Sequence, residues 1–197
     1  MLQIIENILS FPNVEYDTEF YSNVIIEKAK ALALSGKVTQ ARNALRLVNC
    51  TKTASYLETS GLILFYEGNI EQSVETLNEG INDALKKYVS ASTDSAKWES
   101  YQHYLSFLSQ LGSIFHSIQR PDLSLELWQK AVDAAEQLKL YDEKVRLSFP
   151  YIECLIQYEK FEEALYILEN MYKIKKDDKN DDFFWWHYYN QKSVIYL

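Results

Sequence analysis

Glycine and proline are scarce in this chain, with 5 and 3 in 197 residues, against roughly 7% and 5% in average proteins. Sandwiches, barrels and disordered linkers draw heavily on both for their turns. The shortage therefore points to a chain that is mostly helix. It also disfavours a phosphate-cradling loop, which needs several glycines close together. Two cysteines, Cys50 and Cys154, are too few for a disulfide framework and fit a reducing compartment. The expected location is the cytoplasm, with the nucleus as the alternative. A basic excess is also missing: 20 Lys+Arg face 28 Asp+Glu, a net charge of −8. The densest basic stretch, Lys173 to Lys179, is interrupted by Asp177 and Asp178. Without a clustered basic surface there is no counterion release to drive nucleic-acid affinity. Nucleic acid and acidic membrane are not expected partners. No run of 18 apolar residues occurs, so no membrane insertion is expected. The first residues lack a basic lead, and Glu6 breaks the apolar run, unlike a secretory signal.

What is present is a repeated spacing: a small residue, then 12 positions, then 7 more. Ala29 leads to Ala41 and Val48, Gly61 to Ser73 and Gly80, Gly112 to Ser124 and Ala131, and Ile152 to Ala164 and Met171. Each set spans two amphipathic patterns separated by a short polar break, such as Tyr66-Glu67-Gly68-Asn69-Ile70. Small side chains let two antiparallel helices approach to about 8–10 Å. Apolar residues at i, i+3, i+4 and i+7 give each helix a core-facing stripe. In the second unit these are Leu57, Leu64, Phe65, Ile70, Val74, Leu77 and Ile81. The breaks have the length of a tight helix hairpin.

Gly61-Leu62-Ile63-Leu64-Phe65, the turn at Gly68 and Ser73, and Gly112-Ser113-Ile114-Phe115 with Trp128 and Ala131, resemble tetratricopeptide (TPR) repeats. The fourth unit keeps Phe161-Glu162-Glu163-Ala164-Leu165 but carries Ile152 where a small residue is the rule, and Pro150 either starts or kinks its first helix. The steps between markers are 32, 51 and 40 residues, against about 34 for the usual TPR. The long steps resemble the longer-helix variants of cytosolic adaptors, kinesin light chain-like proteins and bacterial response-regulator phosphatases. The 51-residue step requires an extended helix through about Tyr88 and a new helix capped near Thr93 or Asp94. The resemblance implies an all-α, right-handed α-solenoid of antiparallel hairpins in one domain over residues 1–197. A cap helix is expected at about 1–12, ended by Pro12. Repeats are expected at about 18–50, 54–90, 94–139 and 142–176, with a partial repeat at 182–197. That last segment opens with Phe183-Phe184-Trp185-Trp186-His187-Tyr188-Tyr189 and places Ser193 at the marker position. It is expected to be core-facing, or to serve self-association or further downstream repeats.

Chemical motifs are weak. His103, His116 and His187 have no i+3 or i+4 partner that would make a metal site. Cys154 lies in an apolar run and reads as a buried structural thiol; Cys50, at the end of a helix, reads the same way. Glu162/Glu163 and Asp177/Asp178 read as a helix start and a linker rather than an acid–base pair. No catalytic, metal or cofactor residues are expected.

The resemblance also implies that the first helix of each hairpin lines a concave groove. Mapped from the markers, the groove candidates are Asn23, Ile26, Lys30 and Ala33; Ser55, Glu58, Leu62 and Phe65; Ser106, Ser109, Ser113 and His116; and Arg146, Phe149, Glu153 and Gln157. Some TPR domains clamp a C-terminal carboxylate with Lys, Asn and Arg at these positions. Here only Lys30 and Arg146 are basic, so no clamp is expected. The expected function is to hold another protein, as an extended segment or helix, in an adaptor or assembly subunit. Rival readings are a regulatory TPR domain of a signalling or transcription-control protein and a helical-repeat arm of a proteasome-lid-like or ubiquitin-ligase-like complex. A small enzyme is the weakest.

Overall fold

The computed structural model describes residues 2–10, 18–49, 52–178 and 180–197. Its ten helices, with no strand among the described residues, are α1 (Leu2–Leu9), α2 (Thr18–Leu34), α3 (Val38–Leu45), α4 (Ala54–Tyr66), α5 (Ile70–Ser90), α6 (Asp94–Ser117), α7 (Pro121–Gln137), α8 (Tyr141–Gln157), α9 (Phe161–Lys175) and α10 (Asp182–Tyr196). The protein is all-α. Cys50 and Pro12 lie outside the described residues. The helices form two compact units, residues 1–110 and 111–197, and the division falls within α6.

The repeated spacing becomes physical contact. Ser73 Oγ donates to the Gly61 carbonyl at 2.7 Å, and Ser124 Oγ donates to the Gly112 carbonyl at 2.9 Å, each 12 residues apart and buried. In the first and fourth units Ala41 and Ala164 take that place, both fully buried. A Cβ on Gly61 would stand 2.6 Å from Leu77 Cδ2, and one on Gly112 would stand 2.9 Å from the Trp128 indole. Gly80, the third position of the spacing, faces the Phe107 ring.

The turns repeat as well. Gly36, Gly68, Gln119 and Glu159 follow the four markers by seven residues, and all have φ between 58° and 82°. Lys139, between α7 and α8, has φ 57°. In each turn the left-handed residue's N–H reaches back three residues and the next N–H reaches back five. Gly68 to Phe65 (2.9 Å) with Asn69 to Leu64 (2.9 Å) is one example; Glu159 to Ile156 (3.0 Å) with Lys160 to Leu155 (2.8 Å) is another. This double bond closes a helix through a left-handed residue. It also explains why α3, α5, α7, α8 and α9 start without a side-chain cap, since the turn itself sets the next helix's direction. Ahead of α4, α6 and α10, where no such turn precedes, side chains do the capping. Thr53 Oγ1 accepts from Tyr56 N at 3.3 Å, Thr93 Oγ1 from Ala96 N at 3.2 Å and Asp181 Oδ1 from Phe184 N at 3.0 Å.

Pro150 lies inside α8, nine residues after the helix begins at Tyr141, so it does not start the helix. Lacking an N–H, it leaves the Arg146 carbonyl without its usual helical donor.

Unit 1 has a core of Ile25, Ile26, Ala29, Leu32, Ala33, Ala41, Leu45, Val48 and Ile63, from α2, α3, α4 and the turn after α3. In unit 2, α10 packs through Phe184, Tyr188 and Gln191, all buried. Gln191 Nε2 donates to the Phe149 carbonyl at 3.0 Å. Lys175 gathers Asp142, Asp181 and Asp178 at 2.8, 3.1 and 3.6 Å, joining the start of α8, the end of α9 and the start of α10. Phe183, Trp186 and Tyr189, on the other side of α10, are exposed, so the segment is only half core-facing. Ser193 is exposed, and its hydroxyl is spent on Asn190 O within the helix.

Candidate functional site

In unit 1, α2, α4, α6 and the end of α5 surround a cleft of about 670 Å³. Glu19, Asn23 and Glu27 come from α2, Ser55 from the start of α4, and Glu99 and His103 from α6. The end of α5 closes one side with Asp83 and Lys87, which pair at 2.7 Å. Most of its lining residues are polar, and they carry both signs of charge.

Beside this cleft lies a buried carboxylate. Glu58 on α4 has a side chain only 8% exposed; His103 Nδ1 lies 3.0 Å from Oε1 and Lys30 Nζ lies 4.0 Å from Oε2. A carboxylate removed from water is tolerated only where partners restore what hydration gave. Here one partner comes from α2 and one from α6, so a single group on α4 meets side chains of two other helices. Lys30 and Glu58 are two of the residues expected from sequence. His103 is not, although it continues the Ser106, Ser109, Ser113, His116 stripe one turn toward the N-terminus of the 24-residue α6. The signal that could have found it was the length of that helix.

The other candidates are dispersed. Asn23 is exposed and lines the cleft, as Ser55 does, half-buried. Ile26 and Ala33 are each 1% exposed and belong to the core, so they offer no groove surface; the alternating three- and four-residue spacing on a helix with neighbours on several sides reached the packed side. Leu62 packs against that same core, and Phe65 lies against Tyr66 with ring centroids 5.4 Å apart. Ser109 donates to Ser106 O at 2.9 Å. In unit 2, Ser113 is exposed and its carbonyl accepts from Ser117 at 2.8 Å. Arg146 pairs with Glu143 within α8, Glu153 accepts from Gln191 Nε2 at 3.5 Å, and Gln157 is exposed at the end of α8. Phe149 is 3% exposed and packs on Phe184 and His187 at 5.9 and 4.9 Å. It is a core residue in place of a groove anchor, because α10 covers the face that the spacing left open.

His116 turns toward Cys154 instead of a groove, with Nδ1 3.1 Å from Sγ. Ser124 Oγ lies 3.5 Å from the same sulfur. Burial is the chief influence on the thiol and pushes it above its ordinary range, which keeps the sulfur protonated and weakly nucleophilic. No group of three or more potential metal ligands occurs among the described residues, and no described helix is long and apolar enough to cross a membrane.

No protein-family model matches this sequence, and no curated protein matches it significantly.

Proposed function

We propose that this protein is a TPR-like helical-repeat protein that binds a polar, extended segment of a partner protein in the cleft between α2, α4 and α6, serving as a scaffold or adaptor subunit. The observation that carries the reading is the buried Glu58 with its partners on two neighbouring first helices. It holds the cleft walls at fixed separation, and preorganised walls lower the cost of ordering a bound chain. The repeated marker spacing and its recurrent left-handed turn support a stack of hairpins, in which first helices line one surface. Asn23 and Ser55 supply hydrogen-bonding groups at the opening, and Glu27, Glu99 and Lys87 supply charges of both signs.

The test is site-specific photo-crosslinking in cells. A photoreactive side chain replacing Asn23 should yield a discrete protein adduct. The same group replacing Glu79, exposed on α5, should not. Adducts from both positions, or from neither, would refute the groove reading.

A further inference from the structure

Unit 2 contains a second cleft, of about 750 Å³, that none of the groove candidates lines. Its buried lining comes from Ser148 and Tyr151 on α8, Val132 on α7 and Met171 on α9. Val132, Ile167 and Ile174 give it apolar walls. Above them stand exposed carboxylates on both edges, Asp133 and Glu136 on α7 and Glu162 and Glu163 on α9. Lys144 is the one cation in the lining, and it pairs with Glu136 at 2.6 Å. Glu163 pairs with Lys160 at 3.1 Å. Among the described residues neither Asp133 nor Glu162 has a cationic partner.

Asp133 is also held in place. The Tyr151 hydroxyl donates to Gln129 Oε1 at 2.6 Å, and Gln129 Nε2 donates to Asp133 Oδ1 at 2.6 Å. These bonds orient the carboxylate, and among the described residues its second oxygen has no hydrogen-bond partner. Burial first, then the charges of Glu163 and Asp133, push the Tyr151 hydroxyl up to about 12. Tyr166, 69% exposed, and Tyr141, 52% exposed, offer ring faces at the edges.

We propose that this cleft binds an extended, arginine- or lysine-bearing segment of a partner protein. Such a side chain has an aliphatic stem and a cationic head. The stem matches the Val132, Ile167 and Ile174 walls, and the head matches the rim carboxylates and the tyrosine faces. The lining of α9 runs from residue 162 to 174, about 18 Å of helix. That length accommodates about five extended residues and exceeds what one small cation would fill.

The experiment is fluorescence anisotropy on the full chain with a labelled octapeptide of alternating arginine and alanine. A glutamate–alanine octapeptide serves as control and spermine as competitor. The arginine peptide should bind, the glutamate peptide should not, and added salt should weaken binding. D133N/E162Q should weaken it at least tenfold, and Y166A about threefold. Both changes are at exposed positions, and unchanged circular dichroism and melting temperature establish that the fold is kept. E27Q/E99Q, in the unit 1 cleft, should leave the affinity unchanged. Parent-like binding by D133N/E162Q overturns the proposal. A loss confined to E27Q/E99Q overturns it too and assigns the basic segment to the other cleft, leaving the groove reading intact. Full displacement by spermine at peptide-equal concentration overturns it in favour of a small polyamine.

Discussion

A helix usually gains from replacing glycine by alanine, by about 1 kcal/mol. At Gly80 the opposite is expected. A Cβ there would lie 2.2 Å from Phe107 Cζ and 2.3 Å from Cε1. Phe107 is fully buried, so its ring has little room to retreat, and overpacking of this kind costs about 1–3 kcal/mol. The steric cost exceeds the propensity gain. Gly80→Ala should lower the urea midpoint, and adding Phe107→Leu should recover part of the loss by making space. Equal midpoints for the parent and Gly80→Ala would show that the helices do not meet there. The small residues were legible in the sequence because a missing side chain has one common physical reason in a helix, which is close approach. The hydroxyls of Ser73 and Ser124 were legible only as small groups. Their bonds to carbonyls 12 residues away depend on the facing helix and could not be read from the residues alone. The Glu58–His103 pair was hidden for a similar reason: 45 residues separate its members, and the packing of α4 beside α6 brings them together.

At the scale of helices and turns, glycine marks two of the five left-handed closures among the described residues, at Gly36 and Gly68, and the other three carry no such mark. Gln119, Lys139 and Glu159 occupy the same conformation at φ 58°, 57° and 60°. Nothing in a Gln, Lys or Glu advertises positive φ. The left-handed region costs an L-residue with a Cβ about 1–2 kcal/mol. The helices on either side impose it, because the two backward hydrogen bonds form only through that geometry. Replacing each by glycine removes the strain, while glycine's greater freedom in the unfolded chain returns part of the gain. Gln119→Gly, Lys139→Gly and Glu159→Gly should each therefore stabilise the protein by about 0.5–1 kcal/mol, measured by urea denaturation at neutral pH. Gly68→Ala, the converse change, should destabilise by a similar amount. Loss of stability in all three glycine variants would mean that the turns are not closed this way. The burial of Phe149 belongs to the same scale. The stripe on α8 was legible, but α10 lay 33 residues further along, and no rule of spacing says which face a later helix will cover.

Across the whole molecule, two of the buried phenols lie in different units: Tyr101 in unit 1 and Tyr151 in unit 2, 7% and 5% exposed. Burial dominates in both. It pushes Tyr101 up to about 12, with Tyr104 and Tyr88 adding to the effect, and it pushes Tyr151 up to about 12, with Glu163 and Asp133 adding. The neutral phenol is favoured in the folded chain, so the unfolded chain releases its proton first, near the ordinary value of about 10. The stabilisation is fully present below that pH and is lost as pH rises through about 12, by up to roughly 2 kcal/mol for each tyrosine. Urea midpoints should thus be flat from pH 7 to 9 and fall between pH 10 and 12. Tyr101→Phe should shrink the fall through unit 1, where Tyr101 stands within 5.7 Å of Tyr104 and 5.5 Å of Tyr88. Tyr151→Phe should shrink it through unit 2. It should also carry a pH-independent loss of about 1 kcal/mol for the missing bond to Gln129. The double variant should show the two reductions added, because groups with no shared partner act independently. An alkaline fall of unchanged size in the double variant would mean that these phenols do not control it.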